Sequence, residues 1–116
     1  MATTSLPRLY FGTMTIGWSN SSKVITEQTA VDMLKLVQSK GVHHFDSARI
    51  YAGGKTEAML GPCFGHLMLN NAEFRASSII TTKVHPSQPQ GLSSSGLRDQ
   101  LQTSLQAMGL NYVDEL

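Results

Sequence analysis

Short apolar runs alternate with longer segments of mixed polarity along the chain. Four of these runs predict β-strands, at residues 8–13, 42–45, 78–83 and 112–116. Between them lie segments whose apolar residues recur every three or four positions, which predicts amphipathic helices. The predicted order is β-α-β-α-β-α-β, and this alternation favours parallel strands joined by helical crossovers.

Capping residues and apolar spacing set the expected bounds of the first helix. Thr26 offers a capping hydroxyl, and Glu27 places an acid in the first turn. Gly41 stands where a left-handed residue ends a helix. The face predicted to be buried consists of Ala30, Met33, Leu34 and Val37.

The other two helices are predicted with less regular ends. The second starts near Lys55, and Gly61-Pro62 is expected to interrupt or end it, because proline removes a helical hydrogen bond. The third is expected to end at Gly109. Its predicted buried face consists of Leu97, Leu101, Leu105 and Met108.

Two α/β architectures accommodate this order, an open doubly wound sheet and a (β/α)8 TIM barrel. A dinucleotide-binding open sheet normally carries G-x-G-x-x-G after its first strand. Here that turn reads GTMTIGWSNSSK, with only two glycines at a different spacing. The barrel is therefore favoured. Because a full barrel takes about 250 residues, residues 1–116 are expected to form its N-terminal half, cut at the fourth strand.

Composition and charge narrow the class of protein. The chain has 116 residues, 41% hydrophobic and 15% charged, as in globular domains. Its net charge of +1 gives no electrostatic case for a nucleic-acid or membrane partner. Cys63 is the single cysteine, so no internal disulfide can form and a reducing compartment is indicated. With no apolar span and no signal-peptide pattern, the prediction is a cytoplasmic protein.

Candidate chemistry lies at the ends of the predicted strands. Asp46 ends the second strand and Lys83 the third, so both are expected on the rim where barrel enzymes carry their catalytic groups. Tyr51 follows in the loop after Asp46. A tyrosine with a pKa near 10 is a weak acid, but an adjacent ammonium favours its phenolate. Singly, these residues are also typical of a turn cap, a packing residue and a solvated charge. Together they predict a general acid that protonates a carbonyl, with hydride supplied by a nicotinamide.

Longer motifs around these residues resemble the aldo-keto reductases. The matching stretches are LYFGTMTIG, GVHHFDSARIYAGGKTEAMLG, IITTKV and LRDQLQTSLQAMGLNYVDEL, and they cover essentially the whole chain. The D-S-A form and the SLQAMGLNYVD segment look most like the aflatoxin-aldehyde reductase branch. The resemblance implies NADP(H)-dependent reduction of a small-molecule aldehyde or ketone to an alcohol.

The resemblance also implies roles for individual residues. Asp46, Tyr51 and Lys83 match three members of a catalytic tetrad, whose histidine lies just past the strand that begins at Tyr112. The positions that match the nicotinamide and ribose site are Gly12, Thr13, Met14 and Asp46. Trp18 is read either as a wall of the substrate pocket or as a surface residue.

Two alternatives to an active enzyme stay open. The same fold serves as a non-catalytic regulatory subunit, as in potassium-channel β subunits, and a truncated half-barrel would be inert. Four strands of an eight-stranded barrel leave unpaired edges, which recruit other strands. The isolated 116-residue chain is therefore expected to form homo-oligomers or aggregate, and to be inactive alone.

Overall fold

A parallel sheet covered by helices on one face makes up the molecule. The computed structural model describes residues 6–116, and in this part no helix is long and apolar enough to span a membrane. The strands, in the order β1-β2-β3, are β1 (Tyr10–Gly12), β2 (His44–Asp46) and β3 (Ile79–Thr81). The helices are α1 (Glu27–Ser39), α2 (Lys55–Asn70), α3 (Phe74–Ser77) and α4 (Ser94–Met108). The predicted alternation of parallel strands and helices, part of a (β/α) barrel, is confirmed.

The strands are shorter than the sequence predicts. β2 starts two residues late because the Val42 amide donates to the Val37 carbonyl (3.0 Å), which keeps Val42 in the turn that ends α1. The predicted fourth strand, residues 112–116, is reduced to one parallel bridge between Thr81 and Glu115. Here a side chain replaces part of the backbone pairing, because the Asp114 carboxylate accepts from the Ile80 amide at 2.8 Å.

Aromatic rings form the centre of the core between the sheet and the helices. Phe45 of β2 lies 6.5 Å from the Phe64 ring and 6.1 Å from the Phe74 ring, measured between centroids. All three are almost completely buried. Phe74 comes from α3, where the sequence analysis predicts no helix. A single large apolar residue thus anchors a short helix that has no periodic pattern.

The first helix forms as predicted. The Thr26 hydroxyl accepts a hydrogen bond from the Thr29 amide (3.2 Å) and caps its start. Gly41 follows the last turn with φ +86°, a conformation that favours glycine. Ala30 and Leu34 are fully buried in the core and Val37 packs against it, but the predicted Met33 is only half-buried and Val31 is buried instead.

The expected break at Gly61-Pro62 is wrong, since α2 continues to Asn70. Pro62 lies on the exposed side of the helix, as does Ala58, whose carbonyl lacks its usual partner and can bind water instead. Gly61 has a packing role. A Cβ on it would collide with the Ala107 carbonyl oxygen, so the glycine allows α2 and α4 to approach closely.

The predicted buried face of α4 is wrong for two of its four leucine and methionine positions. Met108 is fully buried and Leu105 packs against the core, but Leu97 is 36% exposed and Leu101 is only half-buried. The stripe that is buried consists of Gly96, Gln100, Ser104 and Met108. Small and polar residues therefore line the buried face, where Ser104 binds a side chain of α2 and Gly96 and Gln100 contact the loop after β3.

Candidate active site

The structure brings together the three residues that the sequence places at the strand ends. The Lys83 Nζ atom donates to the Tyr51 hydroxyl at 3.0 Å and to Asp46 Oδ2 at 3.0 Å. It also donates to the Ser47 carbonyl at 2.7 Å, so all three ammonium protons are used. We call Asp46, Tyr51 and Lys83 the rim cluster.

Backbone pairing between two strands positions this cluster. Asp46 is the last residue of β2, and Lys83 lies two residues past β3. Beyond the strands the two segments stay paired, because the Ser47 amide donates to the Thr81 carbonyl (2.8 Å) and the Arg49 amide to the Lys83 carbonyl (2.9 Å). Tyr51 then begins a single 3₁₀ turn, Tyr51–Gly54, which returns its phenol towards Lys83.

The charge on Lys83 is stabilised where it meets the phenol. Partial burial acts to lower the pKa of Lys83, but the hydrogen bonds to Tyr51 and Asp46 and the Asp46 charge outweigh it, so this pKa is raised. The cluster remains open to solvent, with side-chain exposures of 45% for Lys83 and 28% for Asp46. A cation therefore faces the phenol oxygen at a site that a ligand can reach.

The residues predicted to contact a cofactor lie beside Asp46, but they are not equally available. The Thr13 amide and hydroxyl both donate to the Asp46 carbonyl (3.0 and 2.8 Å), and Thr13 is fully buried. Thr13 thus holds Asp46 in place. Gly12 has open space where a Cβ would be, and Met14 is 52% exposed. Asp46 uses Oδ2 for Lys83, and within residues 6–116 its Oδ1 has no hydrogen bond.

A cavity of about 180 Å³ lies next to the turn that carries Tyr51. Its walls include Ala52 and Gly53, which follow Tyr51 directly, and Trp18 from the loop after β1. Trp18 is 41% exposed, so its ring is accessible from the cavity. Trp18 therefore lines a cavity, but Asp46, Tyr51 and Lys83 are not among the residues that line it, so its place in a substrate pocket stays a prediction.

Beneath the rim lies a second polar cluster that the sequence analysis missed. Glu57 is completely buried, and its carboxylate accepts from Arg49 Nη1 (2.6 Å), the Thr82 hydroxyl (2.7 Å) and the Ser104 hydroxyl (3.0 Å). We call Arg49, Glu57, Thr82 and Ser104 the buried cluster. A signal was present, since Glu57 shares its helix face with Leu60 and Phe64, where an acid is unusual unless paired.

Known proteins share the sequence pattern and the fold of this chain. The Aldo/keto reductase family matches residues 8–116. A thermostable aldo-keto reductase, solved with the inhibitor epalrestat, superposes with a TM-score of 0.71 at 28% identity, over 93% of this chain and 36% of its own. An aldo-keto reductase from Klebsiella pneumoniae, solved in complex with NADPH, gives a TM-score of 0.69 at 22% identity, over 94% and 34%. The chain thus spans about a third of the length of these structures.

Proposed function

Because the chain belongs to the aldo/keto reductase family, we propose that the protein reduces an aldehyde or ketone to an alcohol with NADPH. Tyr51 is the general acid, Lys83 tunes it, and Asp46 orients Lys83. The observation that carries this proposal is the hydrogen-bonded chain from the Tyr51 hydroxyl through Lys83 Nζ to Asp46 Oδ2, with both links at 3.0 Å.

The rim cluster can donate a proton to a carbonyl oxygen and stabilise the charge that remains on the tyrosine. Negative charge develops on a carbonyl oxygen as its carbon is reduced, and the Tyr51 O–H donates to that oxygen. The electron pair left on the Tyr51 oxygen faces the Lys83 ammonium at 3.0 Å. Asp46 and the Ser47 carbonyl keep that ammonium charged and oriented throughout. NADPH, when bound, supplies the hydride that the side chains cannot provide.

The residues beside Asp46 fit a nicotinamide nucleoside. Asp46 Oδ1, which has no hydrogen bond within residues 6–116, can accept from a ribose hydroxyl, and the open space at Gly12 leaves room for a ring close to the backbone. Met14 offers an exposed apolar side chain next to it. Thr13 contributes by fixing Asp46. The NADPH complex of the Klebsiella neighbour supports the same cofactor here.

We make narrower proposals for the substrate class, the branch of the family, the cellular location and the part of the barrel that this chain forms. We propose that the substrate is a small carbonyl compound and that the cavity beside Ala52 and Trp18, next to Tyr51 in the chain, takes up part of it. The D-S-A motif that starts at Asp46 supports the aflatoxin-aldehyde reductase branch. The lone Cys63 supports a cytoplasmic protein. We further propose that residues 1–116 act as the N-terminal half of a (β/α)8 barrel and that activity belongs to the full-length protein.

A turnover assay on the full-length protein tests this function. The purified protein is mixed with NADPH and a panel of aldehydes and ketones, and the loss of NADPH absorbance is followed with and without each compound. We expect oxidation that requires a carbonyl and yields the alcohol in equal amount. NADPH binding without turnover of any carbonyl would contradict the proposal and indicate a regulatory subunit.

A further inference from the structure

The buried cluster joins the two chain segments that carry the reacting groups. Arg49 lies two residues before Tyr51, and Thr82 directly precedes Lys83. Both donate to the Glu57 carboxylate, Arg49 to Oε1 at 2.6 Å and Thr82 to Oε2 at 2.7 Å. Because Glu57 accepts from one partner on each segment, it ties the chain beside the phenol to the chain beside the ammonium.

Arg49 also supports the turn that presents Tyr51. Ala52, Gly53 and Gly54 all have positive φ, at +52°, +64° and +96°. Glycine adopts such angles without strain, so Ala52 is the strained residue of the run, and such a residue persists only where neighbouring groups determine its conformation. A Cβ on Gly54 would collide with the Arg49 guanidinium, which therefore packs directly beneath the turn.

If its only role were stability, an ion pair would not be expected at this buried position. Glu57 is fully buried and the Arg49 side chain is 13% exposed, so both charges lose most of their hydration. Well-packed apolar residues often replace such a pair without loss of stability. Hydrogen bonds fix direction and distance, which apolar packing does not, and a shift of about 1 Å in a reacting group can cost about 100-fold in rate.

We infer that Glu57, with Arg49 and Thr82, holds Tyr51 and Lys83 at their hydrogen-bonded separation, as positioning residues for the reduction. The inference rests on the proposed function. Ser104 is the fourth member of the buried cluster and binds the same carboxylate from α4, but it adjoins neither reacting residue. It therefore provides an internal control.

Two matched substitutions test the inference in the full-length protein. Thr82→Val and Ser104→Ala each remove one buried hydroxyl that donates to Glu57, at 2.7 and 3.0 Å. We expect Thr82→Val to lower kcat on the order of 10-fold and to change the pH–rate profile, with the KM for NADPH unchanged. Ser104→Ala should keep kcat within about 2-fold of wild type. Urea denaturation of both variants checks that they lose similar amounts of stability. Thr82→Ser keeps the hydroxyl group, so its kcat should stay close to that of the wild type.

A chemical measurement separates this inference from the proposed function. Tetranitromethane nitrates a tyrosine faster when a cation lies beside its hydroxyl group. Peptide mass spectrometry gives the nitration rate of Tyr51 relative to that of the exposed Tyr112, and it needs no turnover. We expect this ratio to fall in Thr82→Val and to stay at the wild-type value in Ser104→Ala. If the contrast appears in a protein that reduces no carbonyl, the proposed function fails and the positioning role stands. Equal effects of the two substitutions on kcat and nitration would overturn the positioning role.

Discussion

The rim cluster and the buried cluster link the same parts of the chain under opposite conditions. Each contains one ion pair, and each ties the segment after β2 to the end of β3. At the rim, the Lys83 side chain is 45% exposed and its bond to Asp46 measures 3.0 Å. Below it, Glu57 is completely buried and its bond to Arg49 measures 2.6 Å. The two pairs therefore differ in burial as well as in the cation, which is an ammonium at the rim and a guanidinium below it.

Because they differ in burial, the two clusters are expected to contribute differently to stability. An exposed ion pair adds about 0–1 kcal/mol to stability, because water competes for both partners. Breaking a buried pair leaves a charge without water or partner, which is far more costly. The exposed rim cluster therefore suits the proposed reaction, and the buried cluster suits the proposed positioning role. Variants of the two clusters should separate activity from stability.

The largest effect is expected from Glu57→Ala, which leaves Arg49, Thr82 and Ser104 without their shared acceptor. We predict that it lowers the free energy of unfolding by about 3–5 kcal/mol, measured by urea denaturation of the full-length protein. Glu73→Ala, at an exposed position, is the control and should change it by less than about 0.5 kcal/mol. Equal stability of the two variants would show that the buried cluster is not a structural tie.

Next in size is the effect of Tyr51→Phe on turnover. We predict that kcat falls by at least about 100-fold, because the general acid is lost, while NADPH affinity and urea stability stay close to wild type. Tyr112→Phe is the matched control, since it removes a hydroxyl from an exposed tyrosine away from the rim. Wild-type turnover in Tyr51→Phe would mean that another group donates the proton.

Lys83→Met should have a smaller effect that depends on pH. We predict about a 10- to 100-fold lower kcat near neutral pH, with residual activity rising as pH falls, because solvent then supplies the proton. The raised pKa of Lys83 means that its bonds stabilise the fold below the ordinary lysine pKa of 10.5 and that this contribution is lost at higher pH. An unaltered pH–rate profile in this variant would disconnect Lys83 from Tyr51.

The two clusters also differ in how far the sequence predicts them. Asp46 and Lys83 end predicted strands, and parallel strand ends meet at one rim, so topology alone brings them together. The partners of Glu57 lie 8, 25 and 47 residues away, on a loop, a strand end and a helix. Such a convergence depends on the packing of α2 against α4, which no local pattern encodes.

The same dependence on long-range contacts explains why the buried face of α4 is predicted incorrectly. Leucine spacing predicts that Leu97 and Leu101 are buried, but the structure turns Gln100 and Ser104 inward. Gln100 accepts from the His85 amide (2.7 Å) and donates to the Gly91 carbonyl (3.1 Å), so it satisfies the backbone of the loop after β3. Long-range hydrogen bonds here outweigh a local apolar period. The sequence therefore predicts α1, α2 and α4 as elements, but it misses α3, expects a break in α2 that is absent, and misplaces the buried face of α4.

The smallest effect concerns a buried group that has no salt bridge within residues 6–116, so it shows the effect of burial without that of ion pairing. Cys63 is fully buried, and desolvation, assisted by the Glu27 charge, raises the pKa of its thiol from 9.0 to about 11. Above pH 9 the unfolded chain releases this proton while the folded chain keeps it, so stability falls as pH rises from 9 to 11. We predict a loss on the order of 1–2 kcal/mol across that window, absent from Cys63→Ala. The measurement is urea denaturation of both proteins at pH 7, 9 and 10.5. Parallel curves for the two proteins would mean that the thiol reaches water in the folded state.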